Sequence, residues 1–504
     1  MIYKEKWREV FAMLLVGCLS AIIEVRSVAA ERFNVLFVAV DDLRPEFGAY
    51  GAGYIHSPNL DRLAKRGVTF NRAYCQQAVC SPSRSSLLTG TRPDTTRVYD
   101  LETHFRKALP DVVTLPEHFK SSGYFVQGMG KLFHLDDPQS WSVPLLKPTK
   151  GHGAYGLPEN NALSKPTADI AAKSRKKSQS KARGPRGPAF ESSDVPDSSF
   201  HDGAVAEMAV EALRECAAND QAFWLGVGFI RPHLPFVSPT KYWDFYTPAS
   251  IQLAPNPKRP IGAPDYAVSP GGELRSYNGV PTGPIPDDLA LQLKHGYYAA
   301  ISYMDAQLGR VLDELDRLGL TEKTIIVLWG DHGWKLGEHG GWCKHTNFEN
   351  DTNAPLIISV PGLTSAGQRT NALAEFVDIY PTLAAICGLS LPTHLEGTSL
   401  VPILHDPSAS LKNAAFSQYP RSVDGKQLMG YSMRTDRYRF TRWVYREDPA
   451  KIDAVELYDH QTDPQENVNI ANEPAHAEVV EKLTVQSLLG WGGALSTPSR
   501  ESKR

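Results

Sequence analysis

"RFNVLFVAVDD", Arg32 to Asp42, is a short apolar run that ends on two acids. Its hydrophobic residues are continuous rather than alternating. Both of its faces must therefore be covered, as in a central strand of a parallel sheet. Comparable runs recur as "YFVQGMG" (Tyr124 to Gly130), "AFWLGVGF" (Ala222 to Phe229), "TIIVLWG" (Thr324 to Gly330) and "APLIISV" (Ala354 to Val360). Helical patterns that stop at glycine lie between them, in "TLPEHFKSSG" (Thr114 to Gly123) and "YYAAISYMDAQLGRVLDELDRLG" (Tyr297 to Gly319). Strands alternating with helices predict an α/β fold, with a large, mostly parallel sheet flanked by helices. After about Leu400 the pattern changes. "YSMRTDRYRFTRWV" (Tyr431 to Val444) alternates, and "ELYDHQTDPQENVNIA" (Glu456 to Ala471) reads as a strand, a turn and a helix start. The expected organisation is a main α/β domain over 31–400 and a smaller C-terminal α+β subdomain with an antiparallel sheet over 401–504.

The chain has 504 residues, enough for a large core. Its 53 basic and 56 acidic residues nearly cancel, to a formal charge of −3, which gives no argument for bulk nucleic-acid or membrane affinity. Residues 1–30 read as an export signal. Lys4, Lys6 and Arg8 precede an apolar run, Phe11 to Ile23, too short for a comfortable membrane span, and Val28-Ala29-Ala30 offers a cleavage site. The mature protein is expected to be periplasmic or secreted, without a stable membrane span. Lipoprotein anchoring at Cys18, in Leu15-Val16-Gly17-Cys18, is the minor alternative. Without Cys18 five cysteines remain, so at least one thiol has no partner within the chain. A basic insertion falls at about 164–202. Seven basic residues lie between Lys173 and Arg186 with no acid among them, either a solvated surface loop or one that steers polyanions.

In open α/β sheets, ligands bind beyond the carboxyl ends of the strands. There the sequence places Asp41-Asp42, then Lys131 and His134, then Arg231 and His233, then Asp331-His332, with Lys344 a short loop later. Each pair alone fits a solvated turn or a structural histidine. Together, acids at two strand ends suit a hard cation, which needs oxygen ligands from several segments. Lysines beside them suit an anionic substrate.

"CSPSRSSLLTG", Cys80 to Gly90, adds a cysteine at a helix start, with Pro82 in the first turn and Arg84 one turn on. An ordinary thiol there would be a nucleophile of lowered pKa. A Cys75–Cys80 disulfide is the bland alternative, and no second cysteine has zinc-ligand spacing.

This stretch resembles the type I, formylglycine-dependent sulfatase signature, Cys-x-Pro-x-Arg followed by Thr-Gly. The resemblance covers nearly all of the mature chain. It is strongest toward the iduronate-2-sulfatase branch, on "VDDLRPEFGAYG", "GKLFH", "RPHLPF", "DHGWKLGEHGGW", "SQYPR" and "MGYSMRT". It implies an alkaline-phosphatase-like sulfatase fold and conversion of Cys80 to formylglycine by a generating enzyme or anaerobic maturase during export. It further implies one Ca²⁺ held by Asp41, Asp42, Asp331, the modified Cys80 and His332. Arg84 is implied to offset charge at the nucleophile, Lys131 and Lys344 to clamp sulfate, His233 to protonate the leaving oxygen, and His134 to act as base. Trp334 either shapes the sugar pocket or is a core residue. The substrate class so implied is a sulfated carbohydrate: a 2-O-sulfated uronic acid, or another sulfated sugar, at the non-reducing end of a glycan. The alternatives are a phosphomonoester or phosphonate hydrolase of the same superfamily and a non-catalytic glycan-binding protein.

Overall fold

Val35 to Val40 are fully buried, as a strand covered on both faces must be. The computed structural model describes residues 32–148, 154–164, 186–269 and 271–495. The 1–30 segment with Cys18, and the basic run from Lys173 to Arg183, lie outside the described residues.

The main sheet has seven strands: β1 (Asn34–Val40), β2 (Val68–Phe70), β3 (Phe125–Gly130), β4 (Phe223–Phe229), β5 (Thr324–Gly330), β6 (Leu356–Ser359) and β7 (Arg369–Thr370). Their spatial order is β7-β2-β6-β5-β1-β4-β3. The ladders from β5 through β1 and β4 to β3 are parallel, and so is β7 with β2. β6 differs from expectation. "APLIISV" supplies an antiparallel strand, paired with β5 on one side and β2 on the other. A continuous apolar run reports burial on both faces and carries no information on direction. The sheet is mixed, with a parallel centre.

Three helices matter for the site: α1 (Cys80–Thr89), α2 (His201–Ala218) and α3 (Asp287–Arg317). Leu36, Val38 and Val40 share one core with Ala209 and Leu213 of α2 and with Leu293, Ile301 and Leu308 of α3. On the sheet's other face Phe37 stacks on Trp224 at 5.1 Å and packs near Trp329. The parallel strands thus direct β1, β3, β4 and β5 to one edge, where their following loops meet.

The C-terminal sheet is an antiparallel meander of β8 (Ala414–Val423), β9 (Lys426–Thr435), β10 (Tyr438–Tyr445) and β11 (Ile452–Asp459). Helix α4 (Ala477–Leu488) covers one face, with Leu483 against Met433, Phe440 and Leu457. The other face sets Leu428, Trp443 and Tyr458 against Ala267 and Phe348. The helix expected to start before Ala471 starts at Ala477 instead. The Asp463 carboxylate takes the backbone N–H groups of Asn467 and Val468, closing a turn where the sequence suggested a helix.

Candidate active site

Asp41 and Asp42 follow β1, Lys131 follows β3, and Asp331 and His332 follow β5. A side chain at Gly228 on β4 would meet the Lys131 carbonyl at 2.2 Å, so glycine there admits the Lys131 backbone over its neighbour. Asp42 has φ 59°, in the left-handed region. Such a residue costs roughly 1–3 kcal/mol. Two bonds hold it: its N–H donates to Asp331 Oδ1 at 3.0 Å, and its carbonyl accepts from the Tyr297 hydroxyl at 2.7 Å. Lys344 is bracketed by two more left-handed residues, Cys343 (φ 72°) and His345 (φ 90°).

Helix α1 is buried along its whole length and begins at Cys80. Its Arg84 is fully buried and joins three strand ends. Nε donates to Asp331 Oδ2 at 2.9 Å, Nη2 to Asp41 Oδ1 at 3.2 Å, and Nη1 to the carbonyls of Lys131 and Leu132. Four of its five N–H groups are spent on the protein. Lys131 pairs with Asp41. Lys344 Nζ lies 2.9 Å and 3.0 Å from the two Asp42 oxygens, 3.0 Å from Glu273 Oε2, and 4.8 Å over the Trp334 ring. His332 Nδ1 contacts its neighbour's carbonyl at 2.9 Å, which places the proton on Nδ1. Its Nε2 faces Cys80 Sγ at 3.5 Å and Asp42 Oδ1 at 3.4 Å. His233 is fixed the same way. Nδ1 contacts the Leu234 carbonyl at 2.7 Å, leaving Nε2 at 3.3 Å from Glu273 and 3.8 Å from Asp42.

Burial shifts the titrating groups in opposite directions. Burial lifts the Asp42 carboxyl to about 7, although Lys344 opposes it. Burial also acts to raise Asp41, but Lys131, His233 and Arg84 outweigh it and hold it well below the carboxylate range. Burial and then Lys344 press His233 down to about 4, while burial and then Lys131 do the same for His134. His134 Nδ1 is buried without a hydrogen-bond partner.

Two expectations need correction. An ordinary Cys80 thiol would not have a lowered pKa: burial, then the Asp41 charge, pushes it well above the usual value. A helix N-terminus contributes only about 0.3–1 kcal/mol and cannot offset that. The thiol is protonated and a poor nucleophile. Trp334 is no pocket wall. It is fully buried in the core, stacked on Tyr297 with ring centres 6.4 Å apart, and reaches the site only through the Lys344 ammonium on its face. Cys75 and Cys80 are both free thiols, so the disulfide alternative falls.

Asp41, Asp42 and Asp331 each offer a carboxylate oxygen within 4.8 Å of the others, and all three are buried. Asp42, Cys80 and His332 form a second such group on the same spot. A buried hard-oxygen cluster fits a hard dication. The charges agree. The acids Asp41, Asp42, Asp331 and Glu273 outnumber the fixed cations Arg84, Lys131 and Lys344 by one. A dication reverses that excess to one positive charge. Glu273, in a loop between proline and glycine residues, was not singled out from the sequence. Lys344, followed by His233, offsets its burial and holds its carboxylate far below the ordinary value. The β8–β9 hairpin also reaches the rim, where the His345 ring contacts the Tyr419 hydroxyl at 2.7 Å.

The sulfatase family model matches residues 33–389, and that of the N-sulphoglucosamine sulphohydrolase C-terminal region matches 337–489. The iduronate 2-sulfatase of Mus musculus is 34% identical, over 95% of this chain and 98% of that protein. Among solved structures, BT4656 in complex with its substrate D-glucosamine-2-N,6-O-disulfate superposes with a TM-score of 0.71 at 21% identity. The match covers 92% of this chain and 98% of that one. A phosphonate monoester hydrolase from Silicibacter pomeroyi gives 0.73 at 24% identity, over 91% and 95%. At these identities the two structures speak for the fold alone, an alkaline-phosphatase-like one.

Proposed function

The chain belongs to the sulfatase family, and on that premise we propose that it hydrolyses the O-sulfate ester of a sulfated sugar, a 2-O-sulfated uronic acid at a chain end. What supports this most is one observation: four strand-end loops and the start of α1 bring Asp41, Asp42, Asp331, Lys131, Lys344, His233 and Arg84 around Cys80. The 34% identity to iduronate 2-sulfatase supports the choice of sugar.

Formylglycine at position 80, made from Cys80 by a maturation enzyme during export, supplies a hydroxyl nucleophile where the thiol itself stays protonated. A Ca²⁺ held by Asp41, Asp42, Asp331 and His332 would supply Lewis-acid polarisation and the missing positive charge. The remaining work falls to side chains. Lys131 and Lys344 turn from Asp41 and Asp42 to the sulfate oxygens and orient the ester, each as a compact point charge. Glu273 keeps Lys344 in position. His233, whose Nδ1–H is held by the Leu234 carbonyl, takes up its transferable proton on Nε2, beside Glu273, once the anionic ester is bound, and delivers it to the departing sugar oxygen. His134, pressed toward the neutral form by burial and Lys131, accepts a proton at the end of the cycle. Arg84 orients Asp41 and Asp331 and keeps one N–H for the nucleophile.

Charge favours sulfate over phosphate as substrate. One net positive charge with the dication bound matches a sulfate monoanion, whereas a phosphate dianion calls for more. Among the described residues no helix is long and apolar enough to cross a membrane. Sulfate release from a panel of sulfated mono- and disaccharides tests the reading. A 2-O-sulfated uronic acid should turn over best, with no release by Cys80→Ala. Release from aryl phosphates but from no sugar sulfate would refute it.

A further inference from the structure

A cavity of about 360 Å³ lies on the α4 face of the C-terminal sheet, against the segment after α1. Its volume is within the range of small-ligand sites, roughly 300–1,000 Å³. None of the residues placed in the reaction above lines it. Two buried polar atoms on its wall have no hydrogen-bond partner, Gln76 Oε1 and Arg92 Nε. Gln76 is 1% exposed and Arg92 7%. A buried polar atom that the protein leaves without a partner can be satisfied by water or by a ligand.

The wall also holds a cation with no acidic partner among the described residues. Arg442 is 7% exposed, and its Nε donates to the Ser487 hydroxyl at 2.8 Å. Burial lowers its pKa, with only Tyr431 acting the other way. The two acids of the wall are already engaged. Asp94 accepts from Tyr99, Gln418 and Tyr431 at 2.7–2.8 Å, and Glu396 accepts from the Arg92 N–H and the Thr95 hydroxyl. An aromatic surface completes the site: the Arg92 guanidinium sits 5.3 Å over Trp491, whose indole is 38% exposed. Apolar rings, a guanidinium bonded only to a hydroxyl and a bare amide oxygen make a surface for a ring that bears both hydroxyls and a negative charge.

We propose that this cavity is a second, non-catalytic carbohydrate site that holds an anionic sugar unit, one bearing a carboxylate or sulfate, of the glycan whose end is desulfated at Cys80. The ligand class rests on the function proposed above, while the site itself rests on the cavity. Arg442 takes the anionic group, Gln76 Oε1 accepts a sugar hydroxyl, and Trp491 stacks on the ring. The site anchors a chain rather than reacting with it.

The test is calorimetric titration of Cys80→Ala protein with a size-defined heparin-type octasaccharide, alone and combined with Arg442→Gln or Trp491→Ala. Trp491 is half-exposed, so its variant keeps the fold even if Arg442→Gln proves unstable. Each added substitution should weaken octasaccharide binding about tenfold. In the catalytically intact enzyme, each should lower kcat/KM on the octasaccharide to a similar degree and leave a sulfated disaccharide unaffected. Unchanged octasaccharide affinity in a folded Trp491→Ala variant would overturn the proposal, as would equal losses on octasaccharide and disaccharide. Failure of the sulfatase reading looks different: octasaccharide binding would respond to the substitutions while the intact enzyme released no sulfate from any sugar.

Discussion

Replacing Lys344 with methionine removes a 3%-exposed ammonium and keeps its bulk over Trp334. Its loss strands two buried acids, Asp42 and Glu273, that it contacts at 2.9–3.0 Å. Breaking a buried pair from one side costs about 3–5 kcal/mol. For a chain of 504 residues that corresponds to a melting temperature lower by roughly 3–5 °C. The pH dependence has a definite sign. Lys344 is the main group pulling the Glu273 pKa below 4.5, so this stabilisation is present above the unfolded value and fades as pH falls through the folded one. Asp42, raised to about 7 even with the lysine present, rises further without it and takes up a proton, which relieves the variant on acidification. The gap between wild type and Lys344→Met should therefore be widest near pH 8 and narrow toward pH 4.5 as Asp42 takes up its proton, while the Glu273 part persists there. Scanning calorimetry of both proteins in chelator, so that no cation substitutes for the ammonium, measures it. Equal melting at pH 8, or a gap that widens on acidification, would refute this account of the site's charge balance.

Other outcomes follow from the same geometry. His233→Ala should cost most, about 10²–10⁴-fold in kcat, on sugar sulfates with poor leaving groups and little on nitrophenyl sulfate; equal losses on both would remove His233 as the proton donor. Glu456 is 2% exposed, and burial lifts its pKa from 4.5 to about 7, outweighing the Tyr458 and Trp443 hydrogen bonds. Folding therefore favours its protonated form, and about 3 kcal/mol of stability is lost as pH rises from 4.5 through 7. The melting temperature of Glu456→Gln should fall less than that of wild type between pH 5 and pH 8, and parallel curves would contradict this.

Much of the site is legible in sequence because strand ends announce themselves. An apolar run that stops on Asp41-Asp42 or Asp331-His332 gives both the strand and the edge its loop lies on. In a parallel sheet those edges coincide, so residues hundreds of positions apart fall together. Cys80 and Arg84 are legible because Pro82 fixes the helix start, and the helix then sets their spacing. Strand direction was not legible, as β6 shows, since burial on both faces is the same for either direction. Glu273 had no signal. It lies in an irregular loop, and only the fold sets it against Lys344 and His233. Trp334 was ambiguous because a tryptophan after a catalytic-looking turn suits a pocket as well as a core. Its place is decided by Tyr297, on a helix that local sequence cannot position. The environment of Cys80 was misjudged because a helix terminus is local, whereas burial and the Asp41 charge are tertiary.

The central claim is that this fold makes a sulfatase of Cys80 only after the thiol is converted. The direct measurement is the mass of the tryptic peptide Ala73 to Arg84 from a preparation that releases sulfate. The account predicts that the peptide has lost sulfur and two hydrogens and gained one oxygen, as an aldehyde at position 80, or appears as its hydrate. A fully active preparation whose peptide retains the intact thiol would contradict it.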